Sequence, residues 1–146
     1  MTNYPDLIPQ KFMVFDDGSN APLLHQRTIA RLTAKLYPYY EAGTIRYEPI
    51  PEMMVGEYNS PTPDVILYDN VTEQSPVIIE ICHAKGQKSD LKKVIRLIEE
   101  DDYGVLEGFV FNYKTQTWLR YRKGDGGVAA ESSISEILQL DLGVFV

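Results

Sequence analysis

The chain has 146 residues, 44% of them apolar and 24% charged, with a net charge of −7. This is enough for one domain with a real core, and the negative balance excludes indiscriminate binding to phosphate backbones, which needs local positive charge. Cys82 is the only cysteine, and His25 and His83 are the only histidines, which excludes an intrachain disulfide and a Cys- or His-rich zinc site.

A lone cysteine suits a reducing compartment. No apolar run approaches the roughly 20 residues that span a membrane. MTNYPDLIPQK has no basic stretch leading into an apolar one, so no secretory signal and a cytoplasmic location are expected. Charge is unevenly spread. Lys85, Lys88, Lys92, Lys93 and Arg96 face only Asp90 between residues 85 and 96, so that window carries +4 and the rest −11.

Residues 1 to 21, and residues 1 to 10 most clearly, read as an irregular arm with one apolar run, KFMVF, ended by DDGSN. PLLHQRTIARLTAKLYPYY reads as the first helix. Ser19 or Asn20 caps it, Pro22 suits its first turn, and Pro38 ends it. Ile29, Leu32 and Leu36 form its inward stripe with Thr33, and His25 lies one turn earlier on that face. TIRYEPIPEMMV reads as an extended segment broken by Pro49 and Pro51.

Two strands follow, DVILYD and PVIIEIC, joined by NVTEQS. SDLKKVIRLIEEDDYG reads as the second long helix, capped by Ser89 or Asp90 and stopped by Gly104. Its stripe is Leu91, Val94, Ile95 and Ile98. LEGFVFNY and TWLRYRK make a second hairpin around KTQ, and SISEILQL reads as a short helix after a Gly-rich turn. The order predicts an α/β (α+β) domain over residues 1–146, a mixed central β-sheet flanked by helices.

Two acids stand out. Asp64 opens the first apolar strand, and Glu80 sits inside the otherwise apolar VIIEIC. If the turn centres on Thr72, Val65 faces Ile79, Ile66 faces Ile78, and Asp64 faces Glu80 on the same side of the sheet. A slip of one residue would separate them. Carboxylates this close repel, and a shared cation is the usual way to keep both ionised. Carboxylate, backbone carbonyl and water are the ligands Mg²⁺ prefers, and such a cation activates water against a phosphoryl group. The plainer alternative for Asp64 is a solvated strand end, and for Glu80 an exposed sheet-edge position.

Pro63-Asp64, fifteen intervening residues and Glu80-Ile81-Cys82 resemble the frame of the PD-(D/E)xK nuclease superfamily. More narrowly, LLHQRTIARL, PTPDVIL, PVIIEICH, SDLKK and YGVLEGFVFN resemble, in that order, landmarks of the Uma-type restriction endonuclease family. The resemblance spans residues 11 to 146 and implies a restriction endonuclease-like domain. It implies Mg²⁺ or Mn²⁺ on Asp64 and Glu80, with the Ile81 carbonyl as a third ligand, and hydrolysis of phosphodiester bonds. The superfamily lysine would fall on Cys82. Lys93 matches a lysine migrated to the next helix, Lys92 is second, and Arg96 fits if alignment runs back from Gly104. The family's early glutamate has no clear counterpart, because Met13 stands near its place.

His25, His83, Lys85 and Lys88 are candidates for contacting substrate phosphate, each with a bland alternative as a helix-start, loop or solvated side chain. Cys82 reads as a small core residue. The expected partner is nucleic acid, DNA in preference to RNA, on a homodimer if duplex cleavage needs two sites. The alternatives are a catalytically inactive nuclease-fold binding or interaction module, and a hydrolase of small phosphorylated molecules.

Overall fold

The structure, a computed structural model, describes residues 21–56 and 60–146. Six strands form one sheet in the order β1 (Tyr47–Pro51), β2 (Val65–Asp69), β3 (Gln74–Cys82), β4 (Glu107–Asn112), β5 (Thr117–Arg122) and β6 (Ala130–Glu131). Only β3 and β4 pair in parallel; the other neighbours are antiparallel. A parallel neighbour cannot be reached by a hairpin, so the chain crosses through a 3₁₀ turn (Ala84–Gly86) and helix α2 (Gln87–Glu99). Helix α1 (Ala21–Glu41) covers the opposite face. The mixed sheet flanked by helices is therefore as expected.

Alternation along the central strands divides the core. Ile29, Leu32 and Leu36 of α1 pack with Val65, Leu67, Val77, Ile79 and Ile81 on one face. Val94, Leu97 and Ile98 of α2 pack with Ile66, Ile78 and Cys82 on the other. A strand covered on both faces is apolar at every position, which accounts for the unbroken run before Glu80.

The expected register is present: Val65 pairs with Ile79 and Ile66 with Ile78. Beyond Leu67 a bulge shifts it, so that Asp69 faces Gln74, and β3 starts earlier than Pro76.

Several local expectations are corrected. Helix α1 passes through Pro38 and ends at Glu41. The last turn is retained by Ala42 N–H donating to the Pro38 carbonyl and by Tyr39 stacking edge-on against Phe145. Pro49 and Pro51 do not break the extended segment but lie within β1, an edge strand where a missing N–H costs little. Helix α2 starts at Gln87 after Gly86, so Ser89 and Asp90 lie in its first turn rather than capping it. It ends at Glu99, and Gly104 (φ 80°) turns the chain toward β4 instead of stopping the helix.

SISEILQL is not helical. β7 (Ile134–Ser135) pairs with β8 (Leu140–Asp141), followed by a 3₁₀ turn at Leu142–Phe145. The buried Glu107 carboxylate accepts from Ser135 Oγ at 2.5 Å and from Glu136 N–H at 3.0 Å. That tertiary anchor overrides a weak local helical pattern. Ser19, Asn20, Met13 and the KFMVF run lie outside the described residues. No helix among the described residues is long and apolar enough to cross a membrane.

Candidate active site

Asp64 immediately precedes β2, and Glu80 is near the end of β3. They are linked at their shared end of the sheet. Asp64 N–H donates to Glu80 Oε1 at 2.8 Å, and Ile81 N–H donates to Asp64 Oδ2 at 2.7 Å. His25, from the first turns of α1, reaches the same Asp64 Oδ2 through Nε2 at 3.1 Å. Its Nδ1 faces Gln26 Oε1 at 2.8 Å. Both ring nitrogens thus face acceptors, the arrangement of an imidazolium.

The electrostatics follow this crowding. Burial, then the charge of Asp64, pushes the Glu80 carboxyl up to about 7; the Asp64 N–H and Lys93 only partly offset this. Asp90 is also raised, by burial and by Asp64, against the pull of Lys93 and His25. Burial works against charge on His25, but Gln26, Asp64 and Glu52 outweigh it, and its pKa lies above the ordinary histidine value. Cys82 is pushed to about 12 by burial and by the charges of Asp90, Asp64 and Glu80. It is a neutral core thiol where a lysine would supply positive charge.

Lys93 and Glu80 line one cavity of about 280 Å³ between α2 and residues 61–63. Lys93 Nζ lies 3.8 Å from Asp90 Oδ1. Lys92 is exposed and lines no part of that cavity. Lys85 and Lys88 are exposed around the 3₁₀ turn and the start of α2, so Lys88 is helical rather than in the loop. His83 caps the 3₁₀ turn, accepting from Lys85 N–H, and packs edge-on against Tyr113 at 5.9 Å. Tyr113 packs against the α1-side core, which separates His83 from the Glu80 cavity.

Carboxylates such as Asp64 and Glu80 are hard oxygen donors of the type that Mg²⁺ and Mn²⁺ take. Among the described residues, Asp64 Oδ1 and Glu80 Oε2 accept no hydrogen bond. No group of three or more His, Cys, Asp and Glu side chains is arranged to hold a metal among them.

Asp90 and Glu52 are the acids that sequence reasoning did not place here. Asp90 offered one signal, three residues before Lys93 on one helix face. Glu52 offered none. Its N–H donates to the Asp64 carbonyl, its carboxylate accepts from Gln26, and its φ is 51°.

No family model and no curated protein matches the sequence. Among solved structures, the chain is similar to a protein described as a "putative nuclease belonging to DUF820" from Anabaena variabilis. The TM-score is 0.56 and the identity 14%, over 77% of this chain and 69% of that one. It is also similar to part of the type IIG restriction endonuclease BpuSI, with a TM-score of 0.51 and 17% identity over 73% of this chain. The match spans 12% of that much longer enzyme. At these identities the likeness speaks for architecture: the mixed sheet with the helices α1 and α2 that flank it among the described residues is a restriction endonuclease-like fold.

Proposed function

We propose that the protein is a divalent-cation-dependent nuclease that hydrolyses phosphodiester bonds in nucleic acid, DNA in preference to RNA. The observation that carries this reading is the linked pair Asp64 and Glu80, with Glu80 lining a cavity together with Lys93. Asp64, Glu80 and the Ile81 carbonyl would hold Mg²⁺ or Mn²⁺. The bound ion would polarise the phosphoryl oxygen and lower the pKa of the attacking water. Lys93 would orient that water and stabilise charge growing on the phosphate, the part of a lysine on β3. His25, hydrogen-bonded to Asp64, would fix the carboxylate's orientation. Lys85 and Lys88 would attract the phosphate backbone from outside the cleft.

A second reading keeps the fold without turnover, as a binding or interaction module. Two observations favour it: the strand lysine's position holds the buried, neutral Cys82, and Asp64 Oδ2 is already shared by His25 and Ile81 N–H. Mn²⁺ titration followed by electron paramagnetic resonance separates the two. The nuclease reading expects bound Mn²⁺ that Glu80→Ala releases, with metal-dependent cleavage of plasmid DNA. Nucleic-acid binding without bound Mn²⁺ or cleavage would leave the module. Faster cleavage of a small phosphodiester than of plasmid would point to a small-molecule hydrolase.

A further inference from the structure

The cavity beside Glu80 has a composition of its own. Ile78, Val94 and Leu97 give it apolar lining, and Pro61, Thr62 and Pro63 line it too. Arg96 stands one turn beyond Lys93 on α2 and lines the same cavity. Its guanidinium forms no hydrogen bond or ion pair among the described residues, and Asp101 adds an acceptor to the lining.

This mixture suits a nucleotide better than a bare phosphate. A phosphate would be repelled by Glu80 and Asp101 and would leave the apolar lining uncovered. A base has two apolar faces for Leu97 and the prolines, and edge donors for Asp101; its phosphate matches Arg96 and Lys93. A volume of about 280 Å³ is at the small end of ligand sites. It is far too small for a duplex, whose major groove alone is about 12 Å wide. A base held in a stack cannot enter such a cavity without being extruded, which is costly in a duplex and least so in a single strand.

We propose that this cavity receives one unstacked nucleotide adjoining the phosphodiester at Asp64 and Glu80, with Arg96 as its phosphate contact. The favoured substrate is therefore an unpaired stretch of nucleic acid, such as a supercoiled plasmid exposes locally. The inference rests on the nucleic-acid reading above and deepens it. It also removes the need for two sites, because a single strand is cut at one.

The test is fluorescence anisotropy on the full chain in a metal chelator, where no turnover occurs. Single-stranded DNA, single-stranded RNA and blunt duplex DNA of equal length are compared. The expected result is roughly tenfold tighter binding of single-stranded DNA than of duplex, with single-stranded RNA no tighter than single-stranded DNA. Arg96→Gln and Thr62→Trp, which fills the cavity from an exposed position, bring the ratio close to one while circular dichroism stays unchanged. Equal affinity in the unaltered protein, or a preference that survives both variants, overturns the proposal. A parallel Mn²⁺ titration keeps the two readings apart. Strand preference without bound Mn²⁺ removes the hydrolytic reading and leaves the pocket. Bound Mn²⁺ without strand preference removes the pocket alone.

Discussion

The backbone N–H of Asp64 donates to Glu80 Oε1 at 2.8 Å, so one acid positions the other through the main chain. A side-chain substitution at residue 64 leaves this bond in place while changing the charge next to Glu80. Asp64→Asn and Glu80→Ala therefore differ in kind. The first removes a charge from an intact frame; the second leaves the Asp64 N–H without its acceptor, at a cost of about 1–3 kcal/mol. Denaturant melts of the metal-free protein are expected to show Glu80→Ala as the less stable variant. Equal stabilities would mean that this bond contributes nothing.

The two adjacent lysines on α2 are expected to behave differently. Lys93 lines the Glu80 cavity and Lys92 does not. On the proposed mechanism, Lys93→Ala lowers the single-turnover cleavage rate by about 100-fold, the usual loss for one positioned charge. Lys92→Ala changes it by less than about twofold, apart from a weaker salt dependence of binding. The reverse order would assign the migrated lysine to residue 92.

Asp69 ties the bulged end of β2 to the turn. Burial raises its pKa, but Arg46, with Nη2 2.5 Å away, and the N–H groups of Val71 and Thr72 lower it further, and the net shift is downward. A carboxyl whose folded pKa is depressed adds stability above its unfolded pKa and loses it as pH falls through the folded value. The window here lies below the ordinary value of 3.8. Thermal melts from pH 7 down to pH 2 should show Asp69→Asn less stable at neutral pH, with the gap closing at the acid end. A gap independent of pH would assign the loss to packing instead.

Gly108 in β4 lets α2 lie close against the sheet. A Cβ there would collide with Val94 Cγ1 and sit 3.1 Å from Ile98 Cδ1. Both neighbours are buried in the α2-side core, so they have little room to yield. Gly108→Ala is expected to destabilise by about 1–3 kcal/mol in urea unfolding. No change would mean that α2 shifts freely, which would also loosen Lys93 and Arg96.

Glu107 holds the C-terminal hairpin through Ser135 and Glu136, and Leu138 N–H in turn donates to Ser135 Oγ. Removing a buried acceptor leaves its donors unpaired, at about 1–3 kcal/mol. With Glu107→Ala, hydrogen exchange should accelerate at the amides of residues 136 and 138 while β3 stays protected. Uniform acceleration would show that Glu107 supports the whole sheet and not this hairpin.

How much of this was legible without the fold depends on the range of the interaction concerned. The β2–β3 register followed only on the assumption of a turn centred on Thr72; it holds for Val65–Ile79 and Ile66–Ile78, while the bulge beyond Leu67 was not legible. Asp64 and Glu80 could therefore be placed opposite one another from a few neighbouring residues. His25 was legible as part of an inward helical stripe and as a candidate phosphate contact, but not as a partner of Asp64; that hydrogen bond spans 39 positions in the chain. Pro38 and SISEILQL were misread because their outcomes depend on Phe145 and Glu107, which are distant in the chain.

By itself, then, the amino-acid sequence determined the short-range facts: strand alternation, the pairing of two acids across one turn, and a basic helix following them. These follow from backbone periodicity and need no knowledge of what else packs nearby. Only the tertiary structure decided which of the helix's cations meets Glu80, that Asp90 and Glu52 join the same neighbourhood, and that a cavity with Arg96 on its wall adjoins the acids. The physical reason is that burial, desolvation and charge coupling act through space. The crossover from β3 through α2 to β4 sets those distances, and no local pattern encodes them.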